Sequence, residues 1–345
     1  MTATARPSPH DAPAALRRWP TGAIVGKFRP PHKGHSHLIE AALARVDRLT
    51  VFVCADASDT VPADLRAAWL RELHPEADVW VVETTEYDAN DSALWAALTA
   101  RWLGYTPGAV FTSEPYGEHW ARALGCDHVL VDPERRAFPV SGSAVLRAPA
   151  QHLDFLAPPV RAYFVPRVVL VGADSTGKTT LARDLAEHYG TTWVPEYGRT
   201  FWDGLLTLPT IVPDTADFFH IARVQQELED RLARHARGLL VCDTDVLATY
   251  LWHTRYVGRE EPGLLAMAKT RRPALYLLPD VDLPWEDDGT RPDPADRATF
   301  QERFRQLLVA LDAPFAVVRG SPAERVAAAA GAIENVLGVT RVLHM

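Results

Sequence analysis

The sequence predicts an α/β protein with two doubly wound parallel-sheet domains. Three observations support this fold class: a length of 345 residues, short apolar runs that alternate with helically periodic segments, and a second start of that alternation at Arg167. Such alternation is typical of parallel sheets that are covered by helices on both faces. We therefore expect two separate cores, with a boundary near residue 150.

The first half of the chain alternates regularly between strand and helix patterns. Strands are predicted at 22–26, 49–54, 79–83, 109–113 and 128–132. Helices are predicted at 35–46, 63–73, 92–103 and 117–124, because apolar residues recur there at intervals of three and four. We expect a flexible tail over 1–20, a domain over 21–150 and a linker over 151–166. The stretch from Pro149 to Pro166, which contains Pro158 and Pro159, is predicted to hold a short helix as well as the linker.

The second alternation fills a domain that is predicted to cover 167–345. Strands are predicted at 167–172, 191–195, 238–243, 274–279 and 315–320. Helices are predicted at 179–188, 297–311 and 322–337.

Composition narrows the classes of partner. A net charge of -8 gives no electrostatic reason to expect a nucleic-acid partner. No apolar run reaches the length of a membrane span, and the N-terminus has no apolar core of a secretory signal. Cys54, Cys126 and Cys242 lack metal-site spacing and are expected to be free thiols in a reducing compartment, which favours the cytoplasm. A homo-oligomer is compatible with this composition.

The decamer GKFRPPHKGH leaves the first predicted strand and enters a helix. Its H-x-G-H core places His32 and His35 at a helix start, where free N–H groups and the helix dipole favour anions. Imidazoles there can donate hydrogen bonds to charge that develops on the α-phosphorus of ATP, so both are predicted to be catalytic. The predicted ATP-binding residues of this loop are Gly26, Lys27, Phe28 and Gly34.

The decamer resembles the signature of the nucleotidyltransferase superfamily. This resemblance implies a second phosphate motif late in the same domain, with a pattern near I-S-x-T-x-[IV]-R. The chain has PVSGSAVLRAP, in which Ser141 and Ser143 match but Leu146 takes the arginine position. Arg147 comes one residue later, a rotation of roughly 100° on a helix. We predict that Ser141, Ser143 and Arg147 contact the ATP triphosphate.

GADSTGKTT follows the strand at 167–172 and precedes a helix, which is the context of a P-loop. Lys178 is predicted to bridge the β- and γ-phosphates as a catalytic residue, and Thr179 to ligate Mg²⁺ together with Asp243 of the strand LLVCD. The predicted ATP-binding residues are Gly172, Asp174, Ser175, Thr176, Gly177, Lys178, Thr179 and Thr180.

Further polar residues surround the expected P-loop site. Glu196 and Arg199 follow a strand, where α/β sheets bind ligands, so Glu196 is predicted to be a catalytic base and both to bind the acceptor. Asp245 is a third candidate for the acceptor, or else a helix cap. Arg291 in PWEDDGTRPDP is predicted to close over the transferred phosphoryl group; the alternative is that this segment is only a solvated loop. For Glu196 and Arg199, the alternative is a structural ion pair.

These motifs in this order resemble the bifunctional NadR-type family. The matching stretches are GKFRPPHKGH, SDTVPADLRAAWLRELHP, VFTSEPYG, VDPERRAFPVSGS, VGADSTGKTTLA, EYGRTF, VCDTD and PWEDDGTR. The resemblance implies a Rossmann-like nucleotidyltransferase followed by a P-loop kinase, with Ser113 and Glu114 of VFTSEPYG among the substrate-binding residues. Only about 20 residues precede the first strand, so we do not expect the helix-turn-helix repressor domain that some members carry.

The resemblance also implies two ATP-dependent reactions. Ribosylnicotinamide and ATP would give nicotinamide mononucleotide and ADP; the mononucleotide and ATP would give NAD and pyrophosphate. The expected partners are therefore small molecules: ATP, ribosylnicotinamide, nicotinamide mononucleotide and NAD, with Mg²⁺. Two alternatives stay open: the same paired chemistry on another vitamin-derived substrate, and a kinase-active nucleotide sensor whose adenylyltransferase half has decayed.

Overall fold

The computed structural model of the protein describes residues 18–85, 87–88, 91–205, 212–284 and 296–338. The chain divides into two compact units. The first runs to Arg147 and takes in Phe155–Ala157, and the second consists of Ala148–Asp154 and the chain from Pro158 onward. Among the described residues, no helix has both the length and the apolar character that a membrane span requires.

The first unit is a five-stranded parallel sheet with helices between the strands. Its strands are β1 (Trp19–Gly26), β2 (Val46–Ala55), β3 (Ala77–Glu83), β4 (Ala109–Thr112) and β5 (Asp127–Leu130). Its helices are α1 (Lys33–Leu43), α2 (Ala63–Leu73), α3 (Ser92–Leu103), α4 (Gly117–Leu124) and α5 (Gly142–Arg147). The strand order is β3-β2-β1-β4-β5, and every pair is parallel.

The second unit contains another five-stranded parallel sheet. Its strands are β6 (Arg167–Leu170), β7 (Trp193–Val194), β8 (Leu240–Asp243), β9 (Leu275–Pro279) and β10 (Phe315–Val318), in the order β10-β9-β6-β8-β7. Its helices are α6 (Pro158–Phe164), α7 (Lys178–Tyr189), α8 (Tyr197–Leu205), α9 (Thr215–Ala233), α10 (Val246–Val257), α11 (Pro262–Lys269), α12 (Arg297–Ala310) and α13 (Pro322–Leu337). The predicted fold class, two doubly wound parallel sheets, is confirmed.

Each of the two glycine-containing motifs leaves the central strand of its sheet. The chain crosses from β1 to β2 on one side, while β4 pairs with the other side of β1. In the second sheet, β6 likewise has a strand on each side, β8 on one and β9 on the other. A crevice forms at the carboxyl ends of strands where the direction of winding reverses, and ligands of such sheets bind there.

β1 begins earlier than the sequence pattern predicted, at Trp19 rather than residue 22, so the last two residues of the predicted tail belong to the strand. The Trp19 indole N–H donates a 2.8 Å hydrogen bond to Asp127, and its ring packs edge-on against Phe111. Both partners of Trp19 lie about 100 residues further along the chain, so the local sequence pattern does not predict these contacts.

The stretch of the predicted linker contains the expected short helix, α6. Two 3₁₀ turns at Pro149–Gln151 and Leu153–Phe155 precede α6 in this stretch. Leu153, Leu156 and Val160 are buried at intervals of three and four, and this spacing explains the helical turns.

Four helices of the second unit were not predicted: α8, α9, α10 and α11. α10 is buried on most of its circumference, so it lacks the polar face that marks an amphipathic helix. α9 begins with a capping box formed by Asp214 and Asp217, a local signal from which its start could have been predicted.

Candidate functional site

The two histidines of the H-x-G-H motif form a stacked pair at the start of α1. Their ring centroids are 3.7 Å apart and their planes differ by 24°. The backbone N–H of His32 donates to Nδ1 of His35 over 3.3 Å, as part of a capping box. Because Nδ1 accepts this bond, a neutral His35 ring carries its proton on Nε2, which is left to donate to a ligand.

Both imidazoles are neutral at pH 7 in the free protein. Burial and, to a smaller extent, the positive charge of Arg135 together lower the pKa of His32 to about 4. Burial, His32 and Arg135 together hold the pKa of His35 well below its ordinary value. His32 is buried, with its Nδ1 lacking a partner among the described residues, whereas His35 is only partly buried. His35 is therefore the more accessible donor.

Three other predicted residues of the loop shape the packing around these rings. Phe28 is buried with a φ of 47° and packs edge-on against His35, at a centroid distance of 5.0 Å. A Cβ at Gly34 would lie 3.2 Å from the His32 ring, and a Cβ at Gly26 would lie 3.1 Å from Phe28. Both glycines thus allow the aromatic side chains to close over the loop, while the Lys27 side chain is exposed.

A buried ion pair, which was not predicted from the sequence, supports the backbone of this loop. Arg66 is fully buried and pairs with Asp59, whose other oxygen accepts a 2.6 Å hydrogen bond from Arg29. The Arg66 guanidinium also donates to the carbonyl oxygens of Lys27, Cys54 and Val61. The matching stretch SDTVPADLR contains both residues of the pair, and this was the signal that could have found them.

The late motif packs directly on the first loop. Ser141 caps α5 by accepting a 3.2 Å hydrogen bond from the Ala144 N–H. A Cβ at Gly142 would overlap the carbonyl oxygen of Arg29, so only glycine permits this approach. Ser143 and Arg147 are both exposed and lie four residues apart, on one face of the helix.

Ser113 and Glu114 follow β4 at the same edge of the sheet. Ser113 is partly buried, and Glu114 pairs with Arg135 over 3.2 Å. Thr112 donates to the Glu114 carbonyl over 2.8 Å, which orients this turn.

In the second unit, the Lys178 side chain hydrogen-bonds to the backbone at the start of the P-loop. Its buried ammonium donates to the carbonyl oxygens of Gly172 at 3.0 Å and Ala173 at 2.9 Å. Ser175 and Gly177 have φ values of 56° and 78°, which turn successive backbone N–H groups toward one concave face. Thr176 is buried within the turn, Asp174 is partly buried, and Thr180 is exposed on the first turn of α7.

Thr179 and Asp243 meet at the end of the central strands. The Thr179 hydroxyl donates to Asp243 Oδ2 over 2.5 Å, while Asp243 Oδ1 is buried and lacks a partner among the described residues. Burial raises the pKa of Asp243, and the Lys178 charge opposes this shift. A hydroxyl beside a carboxylate with a spare buried oxygen fits Mg²⁺ held jointly with ATP phosphates. The described residues contain no cluster of three His, Cys, Asp or Glu side chains that could hold a metal ion.

Glu196 shares the electrostatic environment of the P-loop. Burial raises its pKa to about 7, with Lys178 opposing and Asp243 reinforcing the shift. Arg199, on the first turn of α8, is exposed and lowers the pKa of both carboxyls. A carboxyl with a pKa near 7 is suited to take up a proton at physiological pH.

Asp245 has a structural role. Its Oδ1 accepts hydrogen bonds from the Leu247 and Ala248 N–H groups as the cap of α10, and its Oδ2 accepts a 2.8 Å hydrogen bond from Tyr276. Both oxygens are thus engaged within the protein, as the helix-cap alternative predicted. Arg291 lies outside the described residues.

Three side chains from the C-terminal helices hold the P-loop backbone, and none was predicted. Gln301 accepts a 2.8 Å hydrogen bond from the Ala173 N–H. Arg297 donates to the Ser175 carbonyl over 2.8 Å, and buried Arg325 donates to the Thr176 carbonyl over 2.5 Å. No local pattern near residues 297–325 indicates these contacts.

α10 carries a stacked aromatic pair. Trp252 and Tyr256 stack with centroids 5.9 Å apart, and Tyr256 is 46% exposed. Burial raises the pKa of the Tyr256 hydroxyl, and the charges of Asp174 and Glu196 raise it further, while those of Arg255 and Arg199 oppose the shift.

Comparison with protein families agrees with this division of the chain. Residues 23–148 match the cytidylyltransferase-like family, and residues 167–325 match an AAA domain family. The first match contains the histidine pair, and the second contains the P-loop with Asp243.

Curated relatives match across both units. The chain is 29% identical over 314 residues to the trifunctional NAD biosynthesis/regulator protein NadR of Escherichia coli (strain K12), a match that covers 83% of this chain and 76% of that protein. The chain is thus similar to a NadR protein across both of its units. The same coverage and identity are found with the NadR protein of Salmonella typhimurium (strain LT2) over 316 residues.

Solved NadR structures share the fold. The crystal structure of a NadR protein in complex with NR has a TM-score of 0.75 at 19% identity, covering 96% of this chain and 100% of that chain. A NadR structure in complex with NAD and AMP-PNP has a TM-score of 0.73 at 20% identity, covering 96% and 99%. The resemblance to the NadR family that the motifs indicated is thus confirmed.

Proposed function

We propose that this chain makes NAD from ribosylnicotinamide in two ATP-dependent steps. The second unit phosphorylates ribosylnicotinamide to the mononucleotide, and the first unit adenylylates the mononucleotide to NAD with release of pyrophosphate. The observation that carries this proposal is the presence of two phosphate-binding loops, GKFRPPHKGH and GADSTGKT, each of which follows the central strand of its own sheet. The NAD-biosynthesis name of the curated relatives supports the choice of pyridine substrates.

In the first unit, His32 and His35 act as neutral hydrogen-bond donors. A phosphate oxygen of the mononucleotide attacks the α-phosphorus of ATP, a bond to this phosphorus forms, and the bond to the departing pyrophosphate breaks. His35 donates from Nε2 to the charge that develops on the phosphorus oxygens, and its stacking on His32 keeps the ring in place. Positioning and electrostatics are sufficient for this step, without a covalent intermediate.

The ATP of this site lies across the two motif loops. The exposed face of α5 that carries Ser143 and Arg147 provides a hydroxyl and a guanidinium for the triphosphate. The close approach of Gly142 to Arg29 keeps this face next to the GKFRPPHKGH loop. Ser141 contributes through the helix start that it caps.

In the second unit, a ribose hydroxyl attacks the γ-phosphorus of a second ATP. The hydroxyl proton passes to Glu196, an O–P bond to the ribose forms, and the bond to ADP breaks. Lys178 exchanges its carbonyl contacts for phosphate oxygens, and the concave backbone from Gly172 to Thr179 holds the β-phosphate. Thr179 and Asp243 would hold Mg²⁺, which supplies neutralising charge on the phosphates.

The acceptor of the kinase lies against Glu196, Arg199 and the Trp252–Tyr256 stack. Ribosylnicotinamide carries a positively charged pyridinium ring, and aromatic faces attract such cations. Arg199 and Glu196 provide a donor and an acceptor for ribose hydroxyls. We place both reactions in the cytoplasm, where the free thiols of Cys54 and Cys242 stay reduced.

Two incubations of the purified protein test the function. With ATP, Mg²⁺ and ribosylnicotinamide, we expect the mononucleotide and ADP; with ATP, Mg²⁺ and the mononucleotide, we expect NAD and pyrophosphate. Phosphorylation without NAD formation would favour the decayed-adenylyltransferase alternative. Turnover of pantetheine or its phosphate instead of the pyridine substrates would favour the alternative of another vitamin.

A further inference from the structure

The short helix α5 has no cation at the arginine position of the second phosphate motif, because Leu146 occupies that position. Leu146 lies four residues after Gly142, so the two share the face of α5 that meets the Arg29 carbonyl. This face meets the histidine loop, and a leucine there gives the ATP phosphates no charge. Arg147 is turned by roughly 100° from it, toward the Ser143 face.

Arg135 brings a guanidinium to this region from a different segment. It lies in the turn between β5 and α5, with a backbone φ of 52°. Its side chain is 44% exposed, donating to Glu114 Oε1 at 3.2 Å and to the Val140 carbonyl at 3.5 Å. Both contacts of Arg135 are weak. The Glu114 side chain is itself 53% exposed, and the 3.5 Å distance to the Val140 carbonyl is at the limit of a hydrogen bond.

The same turn packs onto the histidine loop. Phe138 contacts the ring of His37 on α1 with a centroid distance of 5.9 Å, and its Cβ lies 3.9 Å from the Cβ position of Gly34. The segment that carries Arg135 therefore covers the helix start where His32 and His35 are stacked. In agreement with this, the Arg135 charge depresses the pKa of each of these histidines, after the larger effect of burial.

We propose that Arg135 is a further catalytic residue of the adenylyltransferase site and contacts the ATP phosphates in the place that Leu146 leaves without charge. This rests on the proposed adenylyl transfer. Arg135 exchanges its exposed contact with Glu114 for phosphate oxygens, to which a guanidinium binds more strongly as a charged, bidentate donor. The exchange releases the Glu114 carboxylate for the second substrate.

The neighbouring arginine provides a matched control. Arg136 lies in the same turn, and its side chain is 80% exposed and pairs with Glu134. We compare Arg135→Ala, Arg135→Lys and Arg136→Ala, all in the full chain. Adenylyl transfer from the mononucleotide is measured as a function of ATP, and kinase activity of each variant reports that the second unit is intact.

We expect Arg135→Ala to lower kcat/KM for ATP in adenylyl transfer by roughly 10- to 100-fold, the usual effect of losing one charged phosphate contact. Arg135→Lys should recover part of this loss, because it keeps the charge but not the bidentate geometry. Arg136→Ala should stay within about twofold of the parent chain, as exposed pairs contribute little. Equal losses in Arg135→Ala and Arg136→Ala would overturn the proposal.

A binding measurement separates a phosphate contact from a structural role. Inorganic tripolyphosphate is titrated into Lys178→Ala, which removes the competing P-loop site, while the His35 ring signal is followed by NMR. Adding Arg135→Ala should weaken this binding by roughly 10-fold or more and raise the His32 pKa. Unchanged tripolyphosphate affinity with lost activity would overturn the proposal. If the parent chain forms no NAD, the proposed function fails, and the titration still decides the role of Arg135.

Discussion

The hydroxyl of Thr179 donates a 2.5 Å hydrogen bond to the carboxylate of Asp243, across 64 residues of sequence. This contact joins the P-loop to the end of the neighbouring strand β8. It leaves the second oxygen of Asp243 buried and without a partner among the described residues. The pair therefore offers a hydroxyl and a carboxylate oxygen side by side, which is the arrangement that Mg²⁺ with bound phosphates requires.

Lys178→Ala should separate the two activities. The substitution removes the ammonium that is proposed to bridge the β- and γ-phosphates, so phosphorylation of ribosylnicotinamide should fall below detection. NAD formation from the mononucleotide should stay near the parental rate, because the histidine site contains no P-loop. Both rates are measured on the same preparation. An equal loss of the two activities would contradict the assignment of two independent sites.

His35→Ala should have the opposite effect. It removes a preorganised donor to the transition state, and such a loss costs roughly 3 to 4 kcal/mol, or about 10²–10³ in rate. Single-turnover formation of NAD measures this step, while kinase activity should persist. A parental rate of adenylyl transfer in the variant would show that His35 only shapes the start of α1.

Arg147→Ala tests the contribution of the exposed α5 face. Loss of a charge-assisted phosphate contact of about 1.5 to 3 kcal/mol should raise KM for ATP or lower turnover by roughly one to two orders of magnitude. Leu146→Arg combined with Arg147→Ala should restore activity, because it returns the guanidinium to the motif position. If Arg147→Ala is neutral while Arg135→Ala is not, the cation of this site comes from the β5–α5 turn.

The pKa of His32 predicts a loss of stability in acid. A pKa of about 4 in the folded protein, against 6.5 for an ordinary histidine, means that the unfolded chain binds more protons between these values. The stabilising contribution is complete above pH 6.5 and is lost as the pH falls toward 4. At pH 5 the loss should be roughly 2 kcal/mol.

His32→Gln is the matched comparison, since glutamine does not titrate. The protection of β1 amides against hydrogen exchange is measured in the full chain at pH 7.5 and pH 5, for parent and variant. The parent should lose more stability than the variant between the two pH values. An identical pH dependence in both chains would show that His32 is not held neutral by the fold.

Much of the fold was predictable because its signals are local. The alternation of apolar runs with helical periodicity predicted all five strands of each sheet, and both phosphate motifs carry their own turn residues. α10 was missed because burial on nearly all sides removes the amphipathic pattern. α9 was missed although Asp214 and Asp217 form a capping box at its start.

The support of the P-loop was not predictable in the same way. Gln301 lies 128 residues from Ala173, and Arg325 lies 149 residues from Thr176. Nothing in the neighbourhood of either side chain indicates which backbone group it will meet. Asp245 shows the converse: its spacing from Asp243 allowed a site role or a cap, and only the contacts with Tyr276 and the start of α10 distinguish the two.

The sequence by itself determined the two motifs, their placement between a strand and a helix, and the resemblance to NadR-type proteins. These features depend on residue types at short, fixed spacing, where local geometry leaves few arrangements. The tertiary structure decided that His32 and His35 stack, that Asp59 and Arg66 hold the first loop, and that the turn with Arg135 and Phe138 packs on the histidine loop. These contacts join segments far apart in the chain, so they exist only once the sheet and its helices have brought those segments together.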